Sequence, residues 1–127
     1  MESEPEPAAP SPLDKTYWKL VTVNGASAPP GSGRHEPHIQ FDPEKKRVTG
    51  YSGVNIFSGA YDVTGSRLRM SRMASTRRAG SAELMKLETA YLKALSATRS
   101  YRVDGDVLEL LDVHGQVVAR FEAREKQ

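Results

Sequence analysis

The stretch GYSGVNIFSGAY, residues 50–61, sets three glycines and one asparagine between strand-like runs and ends on Phe57 and Tyr61. A phosphate cradle needs glycines that lead straight into a helix, so that the free N–H groups at its start meet the anion. Here RVTGY precedes and AYDV follows, both strand-like, and no GK[ST] accompanies the glycines. Within strands, glycine marks a bulge, a corner or a close backbone approach. Asparagine tolerates left-handed backbone, while Phe57 and Tyr61 bring apolar area to a core. The stretch reads as a sharp bend in a sheet, an element of shape before one of chemistry.

Working outward, Thr16 to Val23 alternates, with Trp18 and Leu20 on one face and Tyr17, Lys19, Val21 and Val23 on the other, and stops at the turn pair Asn24-Gly25. The following ASAPPGSGRHEP reads as loop. HIQF and RVTGY are short strands, GAYDV and RLRMS form a hairpin with Leu68 and Met70 inward, and MASTRRAG has no clear period. Residues 81–97 form the one helix, with Ser81 as N-cap and Leu84, Leu87, Tyr91, Leu92 and Leu95 on one side. SYRV, VLELL and VVARF follow, joined by tight turns at Asp104-Gly105 and His114-Gly115. The expected fold is α+β, mainly antiparallel sheet curled toward a barrel. It has seven or eight short strands, and the helix is inserted before the last three.

The chain has 127 residues, 38% hydrophobic and 27% charged, enough for one domain. Residues 1–13, acidic and proline-rich, read as a disordered tail, 14–124 as the domain and 125–127 as a disordered end. No run is apolar enough to span a membrane. Such a tail is either the natural start, leaving the chain cytoplasmic, or a linker that once followed an export segment. Net charge is +2, and +5 without Glu2, Glu4 and Glu6. That is short of the basic stripe of a nucleic-acid binder. With no cysteine there is no disulfide, thiol chemistry or cysteine-bound zinc.

The pattern Gly50-x-x-Gly53-x-Asn55-x-Phe57-x-Gly59-x-Tyr61 resembles the signature of the META domain, the family of the bacterial heat-shock protein HslJ. Trp18-x-Leu20, Ile39-x-Phe41, Arg47-Val48-x-Gly50, Thr76, Glu83, Tyr91-Leu92, Leu95, Val107-x-x-Leu110 and Val117-Val118-x-x-Phe121 extend the likeness over residues 16–122. Many relatives carry two cysteines where this chain has Val54 and Gly80, and if those pair, their joint loss is coherent. The resemblance implies a small periplasmic or outer-membrane lipoprotein linked with heat and envelope stress, without an established reaction.

Sharper chemistry finds little support in the residues. His35 and His38 could start a metal site, but zinc needs at least three protein ligands, and the loop offers only Glu36 and Asp42 nearby. There is no nucleophile elbow. Arg67 and Arg69 read as the wet face of a hairpin. Arg72, Arg77 and Arg78 are less explained and become the candidate polyanion contact. The motif residues Gly50, Gly53, Asn55, Phe57, Gly59 and Tyr61 form the other candidate site, structural or binding. The expectation is a monomeric, non-enzymatic envelope domain without cofactor or metal. It acts by binding an unidentified protein or hydrophobic ligand, not nucleic acid, and meets a membrane only through a lost lipid anchor. The alternative is a carrier holding a lipid or hydrophobic peptide between helix and sheet.

Overall fold

The computed structural model describes residues 12–28 and 36–124. The segments read as a disordered tail, up to residue 11, and as a disordered end, 125–127, lie outside the described residues. Nine strands and one helix follow in the order β1 (Tyr17–Val23), β2 (Ala26–Ser27), β3 (His38–Asp42), β4 (Arg47–Tyr51), β5 (Ile56–Thr64), β6 (Arg67–Ser75), α1 (Ala82–Ala97), β7 (Ser100–Asp104), β8 (Val107–Leu111) and β9 (Val117–Arg124). Every pairing is antiparallel, the sheet order is β2-β1-β3-β4-β5-β6-β7-β8-β9, and β1 also pairs with β9. The strands therefore curl into a ring.

The ring is not a true barrel. β6 and β7 share one register pair, Arg67 with Ser100, backed by Leu68 N–H donating to the Arg99 carbonyl at 3.0 Å. Chain order puts α1 between these two strands, and it packs against β1, β6 and β9. Ser81 caps the helix by accepting from Leu84 N–H at 3.2 Å. Its Leu87, Tyr91, Ala94 and Leu95 are buried. They meet Trp18, Ile39, Phe57, Leu68, Leu108 and Phe121 in one core.

Three details differ from the sequence expectation, and each has a local cause. The strand count rises to nine because Ala26–Ser27, inside the segment read as loop, turns back at Asn24-Gly25 to pair with Thr22 and Val23. Val23 joins the core face, because the register with β9 shifts between Leu20 and Thr22 and inverts the alternation that follows. The hairpin strand β6 runs on to Ser75 through a second bulge. Ala60 pairs with Ser71 and Ser58 with Ala74, so Gly59 faces both Arg72 and Met73. Arg72 takes the left-handed backbone, φ 55°. That extra residue turns Met73 toward the core and erases the period-two pattern.

Gly59 is what admits this bulge. A Cβ there would lie 2.3 Å from the Met73 sulfur and 2.8 Å from the Ser71 carbonyl. Gly59→Ala is therefore expected to destabilise by about 1–3 kcal/mol through overpacking. Arg72→Gly, which relieves the left-handed backbone, should be neutral or slightly stabilising. Urea unfolding of the two variants checks this; an alanine variant as stable as the parent would mean the bulge relaxes freely.

Candidate functional site

The motif residues occupy two neighbouring strands and the turn between them. Gly50 lies opposite Phe57 in the β4–β5 register. A Cβ on Gly50 would sit 2.4 Å from the Phe57 ring and 2.3 Å from the His38 carbonyl. Phe57 meets Tyr91 edge to face with centroids 5.4 Å apart, and Tyr91 OH donates to that same His38 carbonyl at 2.8 Å. Burial pushes the Tyr91 phenol well above its ordinary range. Tyr61 packs edge-on against Phe41 at 5.0 Å. Gly50 and Gly59 are thus strand residues that make room for a ring and a thioether, not corners.

The bend itself is confined to residues 52–55. Gly53 adopts φ 107° and lies against the helix, where a Cβ would be 3.4 Å from Leu84 and 3.5 Å from Leu87. Asn55 does not take a left-handed backbone, contrary to the expectation; its side chain is what matters. At 2% exposure its amide donates to the Arg78 carbonyl at 3.1 Å and to Glu88 Oε1 at 2.8 Å. Its Oδ1 accepts from Thr76 Oγ1 at 2.8 Å and from Arg78 N–H at 2.7 Å. Ser52, fully buried, donates to the same Glu88 oxygen at 2.6 Å and accepts from the N–H groups of Val54 and Asn55. One asparagine thereby ties the β4–β5 turn, the chain leaving β6 and the helix together.

Sequence reasoning missed Ser52 and Glu88. Glu88 had a signal: at four residues after Leu84 and three before Tyr91 it falls on the inward line of the helix, where a carboxylate needs donors. Ser52 had none. Of the candidate arginines, Arg77 and Arg78 border a recess of about 310 Å³ together with Asn55, Thr76, Met85 and Glu88. Arg78 enters the network only through its backbone, and Arg72 stands apart in the β6 bulge. The structure does not gather these three arginines into one site. His38 stacks on Tyr17 at 4.5 Å, with burial holding its pKa below the usual value, while His35 lies outside the described residues. Among the described residues no three His, Asp or Glu side chains converge to hold a metal.

Val54 and Gly80 are adjacent: a Cβ at Gly80 would be 3.7 Å from that of Val54. That separation matches the Cβ spacing of a disulfide.

A META domain family model matches residues 11–125. Among solved structures, an NMR structure of a protein from Burkholderia xenovorans aligns over 99% of each chain with TM-score 0.71 at 22% identity. A second NMR structure aligns with 87% of this chain and 90% of its own, with TM-score 0.67 at 24% identity. A crystal structure of a DUF4847 family protein from Bacteroides vulgatus covers 91% and 96%, with TM-score 0.65 at 14% identity. At these identities the likeness is one of fold. No curated protein matches.

Two predictions test the clamp. Asn55→Ala, which strands several buried partners, should cost about 3 kcal/mol, whereas Glu88→Gln, which keeps the accepting oxygen, should cost under about 1 kcal/mol. Denaturant midpoints decide; an Asn55→Ala loss as small as that expected for Glu88→Gln would mean the network is dispensable. The double variant Val54→Cys/Gly80→Cys should form a disulfide on air oxidation and gain about 3 kcal/mol relative to its reduced form. A thiol assay that still finds two free thiols after oxidation would refute the adjacency.

Proposed function

Because the chain belongs to the META domain family, we propose that it is a non-enzymatic domain that works by binding through its outer surface, in the bacterial envelope and in tolerance of heat or envelope stress. The observation that carries this reading is the filled interior. Tyr91 is fully buried between Phe57 and Phe121, with its hydroxyl committed to the His38 carbonyl. Leu87 and Leu95 sit in the same cluster. A carrier of lipid or hydrophobic peptide needs an apolar hollow between helix and sheet, and these side chains occupy that space.

The polar groups of the motif support a binding role as well. A nucleophile must reach its substrate. Ser52 Oγ is fully buried, donates to Glu88 and accepts two backbone N–H groups. Asn55 has both amide atoms committed. Their arrangement holds loops in place.

Native mass spectrometry of the protein purified from its own host tests the reading. The expected result is the mass of the bare polypeptide. A lipid or apolar peptide retained in stoichiometric amount would overturn it in favour of the carrier.

A further inference from the structure

Charge on this molecule is unevenly compensated. Among the described residues all three ion pairs lie on β7, β8 and β9. Glu109, nearly buried, sits between Arg102 and Arg120, its direct register partners on either side, with each guanidinium 2.5 Å from one carboxylate oxygen. The two arginines hold its carboxyl below the usual range. Arg124 faces Glu122.

β6 and the chain leaving it are the opposite. Arg67, Arg69, Arg72, Arg77 and Arg78 fall within twelve residues that contain no carboxylate. All five are exposed, and none joins an ion pair among the described residues. The first two were read from sequence as an ordinary wet face. The structure gives them a different setting: beside the β6–β7 register pair, the β5–β6 hairpin, Arg99, Ser100 and the β8–β9 turn enclose a cleft of about 730 Å³. Arg67, Arg69 and Arg99 line it, with Asp62 and Asp112 as its acidic groups. Asp112 Oδ1 is occupied by the N–H groups of His114 and Gln116 at 2.9 and 3.0 Å. Asp62 lies opposite Arg69 in the register without forming an ion pair. Arg99 spends one nitrogen on the Ser96 and Thr98 carbonyls. The guanidinium groups of Arg67 and Arg69 are unspent.

We infer that this cleft and the arginine line of β6 dock an extended acidic segment of a partner protein. The inference rests on the reading of the chain as a surface-binding domain and names the chemistry of its partner. From Arg67 to Arg72 the strand spans about 17 Å, too long for a single phosphate to bridge. A concave start followed by a line of cations suits a linear chain better than a planar bilayer. No aromatic residue is interleaved between Arg67 and Arg78 to stack a base, which disfavours nucleic acid. Planar guanidinium forks match carboxylates two oxygens at a time.

The test titrates the full chain into fluorescein-labelled oligoglutamate and follows anisotropy at low and physiological salt. Binding that weakens with salt, and weakens at least tenfold in Arg67→Gln/Arg69→Gln/Arg72→Gln while Arg124→Gln binds like the parent, is the expected result. Circular dichroism confirms that each variant is folded, and if the triple variant is not, R67Q and R69Q singly carry the comparison. Three results would overturn the inference: no binding of oligoglutamate, equal binding by the triple variant, or tighter binding of phosphatidylglycerol vesicles or of oligothymidylate of equal charge. Each leaves the surface-binding reading standing, since only a ligand retained in the interior would remove that.

Discussion

The structure turns on one crowded point, where the ring of Phe57 lies over Gly50. The carbonyl of His38 presses on Gly50 from the neighbouring strand and also receives the hydroxyl of Tyr91. Three strands and the helix therefore meet within one van der Waals layer, and any side chain on Gly50 would have to displace either the ring or the backbone of β3. Close-packed interiors transmit such a displacement rather than absorb it. The helix depends on this contact, because Tyr91 is its largest buried side chain and, beside Glu88, a polar tether from the helix to the strands. The ring depends on the helix in turn, since β6 and β7 are nearly unpaired and would otherwise expose the core between them.

Much of this was legible in the residues. Alternation and turn pairs located the long strands, and the stripe with its serine cap located the helix, because those signals are local. The misreadings at Val23 and at Met73–Ser75 share one cause. A β-bulge inserts a residue that flips the face of everything after it, and its presence depends on the partner strand. The motif glycines read from sequence as bulge, corner or close approach, and the choice stays open there because sequence cannot say which side chain fills the space a glycine leaves. At Gly50 it is a ring from the next strand; at Gly59 it is a thioether from across a bulge.

Asn55 illustrates the same limit for the candidate site. Its importance was visible, its role was not. Composition suggests an unusual backbone, but the four hydrogen bonds reach residues 76, 78 and 88, up to 33 positions away. Glu88 could have been singled out as a carboxylate on the wrong face of an amphipathic helix. Buried polar groups in such a network are costly if any one is left unmade. The chain accordingly leaves none: among the described residues no buried side-chain nitrogen or oxygen lacks a partner.

That completeness bears on function. A group held ready for chemistry keeps some of its hydrogen-bonding or proton-binding capacity for a substrate, whereas the Ser52 hydroxyl and both Asn55 amide atoms are already hydrogen-bonded within the fold. Unspent capacity lies instead at the surface, in the arginines of β6, while the arginines of β7 and β9 are matched to Glu109 and Glu122. Arginine without a carboxylate adds little to a fold, since even exposed ion pairs contribute only about 0–1 kcal/mol. It does create a field that raises encounter rates with anionic partners and selects among them. Among the described residues the buried side-chain polar atoms are all partnered, and the uncompensated charge lies on one edge, which suits the proposed surface-binding role. On the proposed reading the domain's specificity resides in the cleft beside the β6–β7 register pair, which gives that diffuse charge a shape.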